Sequence, residues 1–158
     1  MTQSLSELKS ICKQLKATGK KIVFTNGCFD LIHAGHVDYL SKSKAMGDVL
    51  IVGLNSDDSV RRLKGEIRPI LNEKERAFIL SNLKPVDYVI IFDEDTPQNL
   101  IKELLPDILV KGSDWAIDEI VGADEVIANG GKVETIEFVN DQSTSKIIQK
   151  IATGYTNN

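Results

Sequence analysis

Apolar runs and amphipathic stretches alternate along most of this chain of 158 residues. Five runs each predict a strand, and the second is apolar nearly throughout, as strands buried on both faces of a sheet are. These runs cover residues 21–25, 48–54, 88–92, 108–110 and 132–138. Because helix-like stretches separate them, the pattern predicts an α/β fold, with a parallel sheet of about five strands and helices on both faces.

Capping and stop signals place helices between these strands. Ser4 and Glu7 fit a capping box ahead of apolar residues at helical spacing, and Gly19 offers a stop. Asn72 and Glu75 cap a second helix in the same way. Further helices are predicted over residues 36–46, from Thr96-Pro97 onward with the proline at the first position, and over residues 143–151.

The chain shows no linker, internal repeat or low-complexity tract, so residues 1–158 are predicted to form a single domain. Residues 1–19 make its N-terminal helical segment, and residues 153–158 are typical of a frayed tail. The net charge of −4, with dispersed basic residues, predicts no nucleic-acid partner. No apolar run approaches the length of a bilayer span, and the N-terminus lacks the features of a signal peptide. We therefore expect a cytoplasmic protein with no membrane partner.

Polar or basic residues follow four of the predicted strands. In parallel sheets, ligands gather beyond the carboxyl ends of the strands, at the switch point in strand order. The residues at these ends are Thr25, Asn55, Lys111 and Asn140. A ligand site is therefore expected at this edge of the sheet.

The only two histidines of the chain lie three residues apart, in the segment that joins the first strand to the next helix. A glycine-punctuated turn of this kind can bring backbone N–H groups and a helix N-terminus to an anion. The imidazoles of His33 and His36 can add hydrogen bonds to phosphate oxygens. This arrangement favours a nucleotide-phosphate site.

Three other roles for the histidines stay open. A metal site is disfavoured, because helical ligand pairs prefer an i, i+4 spacing and need further partners, so no metal ligand is predicted. A nucleophilic pair of Cys28 with a histidine would need a base that activates the thiol. The third alternative is two structural histidines with satisfied hydrogen bonds.

Four cations follow the second strand, in a stretch with little regular apolar spacing: Arg61, Arg62, Lys64 and Arg68. Taken alone, such a run is more often solvated surface than a binding site. Its position at the same sheet edge as the histidine turn favours the neutralisation of triphosphate oxygens. Arg76 could play the same part, or could pair with Glu73 or Glu75.

Two later segments carry weaker signals. A Lys111-Gly112 pair at a strand end suits close approach of the backbone to a ligand. Trp115 could stack on a base, although a single Trp more often packs in the core. Three hydroxyls at the start of the last predicted helix could form an ordinary N-cap or a phosphate pocket; they belong to Ser143, Thr144 and Ser145.

Together these residues resemble the signature of the cytidylyltransferase-like nucleotidyltransferases, carried by Thr25-Asn26-Gly27-Cys28-Phe29-Asp30 and His33-Ala34-Gly35-His36. The rest of the chain, from about Leu5 to Ile151, is similar to the heptose 1-phosphate adenylyltransferases of ADP-heptose synthesis. The strings that carry this second resemblance are residues 55–65, Arg68-Pro69-Ile70, Glu75-Arg76-Ala77, Asp95-Thr96-Pro97, residues 111–115 and residues 121–124.

The resemblance implies a Rossmann-like fold and a defined reaction. ATP and D-glycero-D-manno-heptose 1-phosphate would give ADP-heptose and pyrophosphate, with Mg²⁺ accompanying the nucleotide. The product would feed surface glycan assembly. Many relatives carry this domain behind a sugar kinase, and the present chain resembles the stand-alone form. Relatives are often dimers, so a homodimer is an expectation by analogy.

The resemblance also assigns roles to residues. His33 and His36 would donate to the α-phosphate and the departing oxygens, while Lys64 and Arg68 would hold the β,γ-phosphates or pyrophosphate. Asp30 and Asn55 are candidates for the sugar phosphate on position alone. The residues predicted to bind the nucleotide are Thr25, Asn26, Gly27, Cys28, Phe29, Gly35, Arg76, Lys111, Gly112, Asp114, Ser143, Thr144 and Ser145.

One departure and three alternatives accompany this prediction. The family's C-terminal motif often carries an arginine after the serine-rich turn, where this chain has Lys146-Ile147-Ile148. The alternatives are the same chemistry with CTP and glycerol 3-phosphate, the same chemistry with GTP and a heptose phosphate, and a non-catalytic nucleotide-binding module.

Overall fold

The computed structural model describes residues 2–113, 119–137 and 143–155. Its centre is a sheet of parallel strands in the order β3-β2-β1-β4-β5. The strands are β1 (Ile22–Gly27), β2 (Val49–Asn55), β3 (Tyr88–Phe92), β4 (Ile108–Gly112) and β5 (Lys132–Ile136). The prediction of a five-stranded parallel sheet is confirmed.

Helices cover both faces of this sheet, as predicted. They are α1 (Leu5–Ala17), α2 (Ala34–Lys44), α3 (Asp57–Lys64), α4 (Glu73–Ser81), α5 (Gln98–Leu104), α6 (Ala123–Ala128) and α7 (Thr144–Tyr155). Among the helices so described, none is long and apolar enough to cross a bilayer.

Alternate residues of each strand face opposite helical layers. Ile22 and Phe24 of β1 pack into one core with side chains of α1, α5 and α6. Val23 points the other way, into a second core with side chains of α2 and α4. Complete burial of an aliphatic or aromatic side chain contributes about 1.5–3 kcal/mol to the free energy of folding. Because a shift of one residue would move buried side chains to the other face, these two cores fix the register of the strands and so the positions of the loops at their ends.

The sequence reading missed two helices. The sequence pattern predicts no helix over residues 57–64, but they form α3, which Ser56 caps by accepting a hydrogen bond from the amide of Ser59 at 3.0 Å. Only Ser59 and Val60 of this helix are buried, so its apolar spacing gives almost no signal. The six-residue α6 is too short to show a period.

Several boundaries differ from the prediction by a turn or less. The helix α2 begins at Ala34 instead of residue 36, and Pro97 is the N-cap of α5 and not its first residue. The strand β5 ends at Ile136. The helix α7 continues to Tyr155, so residues 153–155 of the expected tail are helical. The predicted strand-end residue Asn140 lies outside the described residues.

The strands β1 and β4 separate early, at the switch point in strand order. Their pairing comprises only Val23 with Ile108 and Phe24 with Leu109. The phenol of Tyr39 on α2 bridges the strands beyond this point: its oxygen lies 2.8 Å from the Thr25 hydroxyl and donates to the Val110 carbonyl at 3.1 Å. A crevice therefore opens where the carboxyl ends of β1 and β4 diverge.

Candidate active site

A cavity of about 390 Å³ occupies this crevice, a size typical of small-ligand sites. The end of β1 with the turn that follows it, the end of β4, and residues 143–145 at the start of α7 contribute to its wall. The described residues that line it are Asn26, Gly27, Cys28, Phe29, Asp30, His36, Tyr39, Lys64, Arg68, Lys111, Gly112, Ser143, Thr144 and Ser145. All of these residues except Tyr39 were predicted from the sequence to belong to the site.

The turn after β1 is tightly folded. Phe29 has a φ of 42°, in the left-handed region that a non-glycine residue adopts only when its surroundings impose it. Its ring lies so close to Gly27 that a Cβ there would approach the ring to 3.0 Å. The ring centroid of Phe29 is 5.3 Å from that of His36. Gly27 thus lets the turn fold back and bring Phe29 against the histidine.

The two histidines form a stacked pair at the start of α2. Their ring centroids are 3.9 Å apart and their planes differ by 26°. Of the two, His36 lines the cavity, and His33 is the N-cap residue behind it. The Nδ1 atoms of both are buried and have no hydrogen-bond partner among the described residues. Because buried polar atoms are normally paired, these two nitrogens are exceptions among the described residues.

Both imidazoles are neutral at physiological pH. Burial lowers the pKa of His36 to about 4, with a further contribution from the neighbouring His33. Burial also lowers the pKa of His33 below its ordinary value. A neutral imidazole still carries one N–H donor, so the pair can hydrogen-bond to phosphate without bearing charge.

The four cations that follow β2 have different surroundings in the structure. Arg61 pairs with Asp58 on its own helix, and Arg62 pairs with Asp95 at 2.7 Å. Lys64, at the end of α3, lines the cavity and makes no ion pair with any described residue. Arg68, in the segment between α3 and α4, also lines it. Two of the four cations are therefore placed for anion binding, and two pair with acids on the surface.

A third cation and a row of hydroxyls complete the described wall. Lys111 at the end of β4 donates to the side-chain oxygen of Asn26 at 2.5 Å. The hydroxyl of Thr144 donates to the Leu31 carbonyl at 3.3 Å, which ties the start of α7 to the histidine turn. The hydroxyl of Ser143 accepts from the amide of Lys146 at 3.2 Å, as in an N-cap. A helix N-terminus with hydroxyls favours phosphate binding at this side of the cavity.

Arg76 is a correction to the sequence reading, which placed it among the nucleotide ligands. Its side chain has no exposed surface. The guanidinium donates to the carbonyls of Leu71 at 3.0 Å and Cys28 at 2.6 Å, and pairs with Asp57 at 2.8 Å. Because its donors are directed into the protein, Arg76 braces the β1–α2 turn and the start of α3 instead of facing a phosphate.

Asn55 and Asp30, the two candidates for the sugar phosphate, both have protein partners in the structure. Asn55 is buried outside the cavity wall, and its amide donates to the Ser59 hydroxyl at 3.0 Å. Asp30 borders the cavity, but its carboxylate is occupied by protein donors. Burial raises the pKa of Asp30, yet the amides of Ile70 and Leu71 and the Arg68 guanidinium outweigh it and bring the pKa below its usual range.

Three further predicted residues have other positions. Thr25 is buried within β1, where its hydroxyl meets Tyr39 instead of the cavity. Gly35 is buried in the first turn of α2. Asp114 lies outside the described residues, as does Trp115. Tyr39, which lines the cavity, was missed; its position three residues after His36 on one helix face was the available signal.

The chemistry of Cys28 disfavours the nucleophile alternative. Burial raises the pKa of its thiol, and the positive charges of Lys64, Arg76 and Arg68 only partly offset this. A thiol with a raised pKa is protonated at neutral pH, and the thiolate is the reactive form. Cys28 therefore contributes to the wall as a small, weakly polar residue.

Within the described residues, no cluster of three or more His, Cys, Asp and Glu side chains could hold a metal ion. Asp30 is the only carboxylate among the described wall residues, and its oxygens already accept hydrogen bonds from Arg68, Ile70 and Leu71. The described wall thus offers cations and hydroxyls for an anion, and no donor set for a resident cation.

Comparison with known proteins adds a family to this geometry. The family model for Cytidylyltransferase-like proteins matches residues 24–150. The bifunctional protein HldE of Citrifermentans bemidjiense is 61% identical over 137 residues, which are 87% of this chain and 28% of that protein. HldE of Haemophilus influenzae is 55% identical over 148 residues, which are 94% of this chain and 31% of that protein. The chain thus spans less than a third of the length of these relatives.

A solved structure agrees with the same assignment. The crystal structure of the lipopolysaccharide core biosynthesis protein from Thermoplasma volcanium superimposes with a TM-score of 0.63 and 34% sequence identity. The match covers 78% of this chain and all of that one, 100%. The similarity therefore extends to sequence as well as to fold.

Proposed function

The chain belongs to the Cytidylyltransferase-like family and is a nucleotidyltransferase, and on that premise we propose that it transfers AMP from ATP to D-glycero-D-manno-heptose 1-phosphate. The products would be ADP-heptose and pyrophosphate. One observation carries the proposal: His36, Lys64 and Arg68 come from three different segments and line one cavity. That set of donors suits the β- and γ-phosphates and the α-phosphorus of a nucleoside triphosphate.

Support for the substrate pair comes from the relatives. Over nearly the whole chain, the sequence is 55–61% identical to the two HldE proteins. The name of the Thermoplasma volcanium protein places it in lipopolysaccharide core biosynthesis. ADP-heptose is a donor for such glycans, so the same substrate pair accounts for both relationships.

The reaction is a single in-line displacement. An oxygen of the sugar phosphate forms a bond to the α-phosphorus of ATP while the bond from that phosphorus to the bridging oxygen of the β-phosphate breaks. The electron pair of the broken bond stays with the departing pyrophosphate. Since the attacking phosphate is already ionised at neutral pH, no general base is required, and catalysis depends on positioning and charge stabilisation.

The side chains divide these tasks. The neutral imidazole of His36 donates to an oxygen of the α-phosphate as its charge changes in the transition state. The ammonium of Lys64 and the guanidinium of Arg68 stabilise the growing charge on pyrophosphate. The hydroxyls at the start of α7 bind the far end of the triphosphate. The nucleotide substrate would bring Mg²⁺ with it, and the ion would supply further positive charge for the phosphate oxygens.

Release of pyrophosphate tests the proposal. The purified protein is incubated with Mg²⁺ and each anomer of heptose 1-phosphate, with ATP, CTP, GTP and UTP in separate reactions. Release with ATP and one anomer is the expected result. Release only with another nucleotide would overturn the choice of ATP and keep the mechanism. No release with any of the four, under conditions where the protein is folded, would overturn the acceptor, and CTP with glycerol 3-phosphate would be the next pair.

A further inference from the structure

The carboxylate of Asp30 joins two segments that are far apart in the chain. Its Oδ1 accepts hydrogen bonds from the amides of Ile70 at 2.8 Å and Leu71 at 3.0 Å. Its Oδ2 accepts from Nε of Arg68 at 2.6 Å and from the Ile70 amide at 3.0 Å. The β1–α2 turn is thus fastened to the segment that carries Arg68.

These contacts leave neither oxygen of the carboxylate without a donor. An ionised carboxylate has about four lone-pair sites, and here both of its oxygens are engaged by three N–H donors, of which the Ile70 amide is shared between the two oxygens. The side chain of Asp30 is only 1% exposed, so a substrate hydroxyl or a cation has no free oxygen to approach. Asp30 consequently borders the cavity without being available to a ligand.

The fastened segment, residues 65–71, has few other attachments to the body of the protein. It begins at Gly65, whose φ is +95°, and Ile67 in its middle is 83% exposed. The Arg68 amide donates back to the Gly65 carbonyl, which closes a turn within the segment. At its far end, the Leu71 carbonyl accepts from Arg76. Between these two ends, Asp30 is the attachment that brings Arg68 to the cavity.

The guanidinium geometry makes this attachment directional. Asp30 receives the Nε hydrogen of Arg68, and the two terminal nitrogens form no hydrogen bond with any other described residue. A guanidinium is planar and rigid, so a fixed Nε fixes the direction of the terminal nitrogens as well. The Arg68 side chain is 14% exposed and lines the cavity, which leaves its outer edge for a phosphate.

We propose that Asp30 is a positioning residue that orients Arg68, and with it residues 65–71, for contact with the pyrophosphate half of the nucleotide. This inference rests on the proposed nucleotidyltransfer only for the identity of that anion. Asp30 then acts through Arg68 and does not itself contact the sugar phosphate.

The variant Asp30→Asn tests whether Asp30 orients the Arg68 guanidinium or only attaches residues 65–71 to the β1–α2 turn. An asparagine can keep its oxygen on the two backbone amides, while its NH₂ group faces Nε of Arg68 and cannot accept from it. The matched control is Asp87→Asn, since Asp87 also accepts from a backbone amide, that of Leu50 at 2.7 Å, and from a lysine, Lys44 at 2.5 Å. Asp87 precedes β3, at the end of the sheet opposite the cavity.

Calorimetric titration with inorganic pyrophosphate and with AMP measures the effect. Asp30→Asn should weaken pyrophosphate binding at least about tenfold, which is about 1.4 kcal/mol, and leave AMP binding within about twofold of the wild type. Asp87→Asn should change neither. When Asp30→Asn is combined with Arg68→Ala, it should add nothing to the loss that Arg68→Ala causes alone. Unchanged pyrophosphate affinity in Asp30→Asn, or additive losses, would overturn the inference.

A second variant keeps the test valid if Asp30→Asn does not fold. Arg68→Lys retains the positive charge and the wild-type Asp30, but a single ammonium cannot hold the carboxylate and a phosphate with the geometry of the fork. Its pyrophosphate affinity should fall close to that of Arg68→Ala, and retention of wild-type affinity would overturn the inference. A wild-type protein that binds pyrophosphate but releases none from any nucleotide would contradict the proposed function alone.

Discussion

Arg76 on α4 and Asp57 at the start of α3 form an ion pair at 2.8 Å, in which the arginine side chain has no exposed surface. The same guanidinium holds the carbonyl of Cys28 in the wall of the cavity. One side chain therefore connects two helices to the turn that the nucleotide would contact. The positive charge of Arg76 therefore stabilises the shape of the site and does not neutralise a substrate phosphate.

The variant Arg76→Met should lower the free energy of unfolding by about 3 kcal/mol, because it leaves the Asp57 carboxylate and two carbonyls without their donor. Urea denaturation followed by circular dichroism measures the change. Arg62→Met is the control: that arginine also pairs with a carboxylate, but on the solvated surface, so its loss should be far smaller. Equal losses would mean that burial does not set the strength of the Arg76 contacts.

Lys64 and Arg61 lie on the same helix and are expected to differ in function. Lys64→Ala should lower kcat/KM for ATP about 10- to 100-fold, because it removes from the cavity wall a cation that no described residue neutralises. Arg61→Ala should leave kcat/KM within about twofold, since Arg61 pairs with Asp58 and does not line the cavity. Initial rates of pyrophosphate release give both values. A similar loss in both variants would indicate a general field effect and contradict a specific role of Lys64.

His36→Ala should reduce kcat at least about 100-fold while the protein stays folded, because one donor to the reacting phosphate is lost. Rates of pyrophosphate release at saturating ATP measure this effect, and near-ultraviolet circular dichroism checks the fold. Val37→Ala, at the adjacent and exposed position of α2, serves as the control. Wild-type turnover in His36→Ala would exclude the mechanism in which this imidazole stabilises the transition state.

The lowered pKa of His36 makes stability depend on pH. Its pKa is about 4 in the folded protein, against 6.5 as its ordinary value, so the unfolded chain binds the proton more tightly. The contribution of His36 to stability is therefore complete above pH 6.5 and is lost as the pH falls toward 4. Urea denaturation at pH 7.5 and pH 5 should show a loss of up to about 2 kcal/mol that His36→Gln abolishes. An identical pH dependence in the variant would contradict burial of a neutral imidazole.

The parts of the site that follow the sheet could be predicted from the sequence. The apolar runs specify strands, and in a parallel sheet the residues at and just beyond the ends of β1 and β4 lie at one edge. This brought Asn26, Lys111 and His36 into one cavity wall, as expected from their positions.

The roles of individual charges could not be predicted in the same way. Arg62 pairs with Asp95 and Arg76 with Asp57, and both partners come from other elements whose approach depends on the tertiary fold. The sequence contains four similar cations close together. Only the burial and the ion-pair partners that their side chains have in the structure distinguish Lys64 and Arg68 from the other two. For the same reason the sequence could not show that Asp30, in the cavity wall, accepts hydrogen bonds from Arg68, Ile70 and Leu71.

The early separation of β1 and β4 has a consequence for the energetics of recognition. The gap between them is bridged by Tyr39, whose phenol meets Thr25 and the Val110 carbonyl, so this part of the wall has its width before any ligand arrives. The loss of conformational entropy that ordering this wall requires then occurs on folding, so it does not weaken the binding free energy. Nucleotide association should accordingly proceed with little backbone rearrangement of β1, β4 and α2.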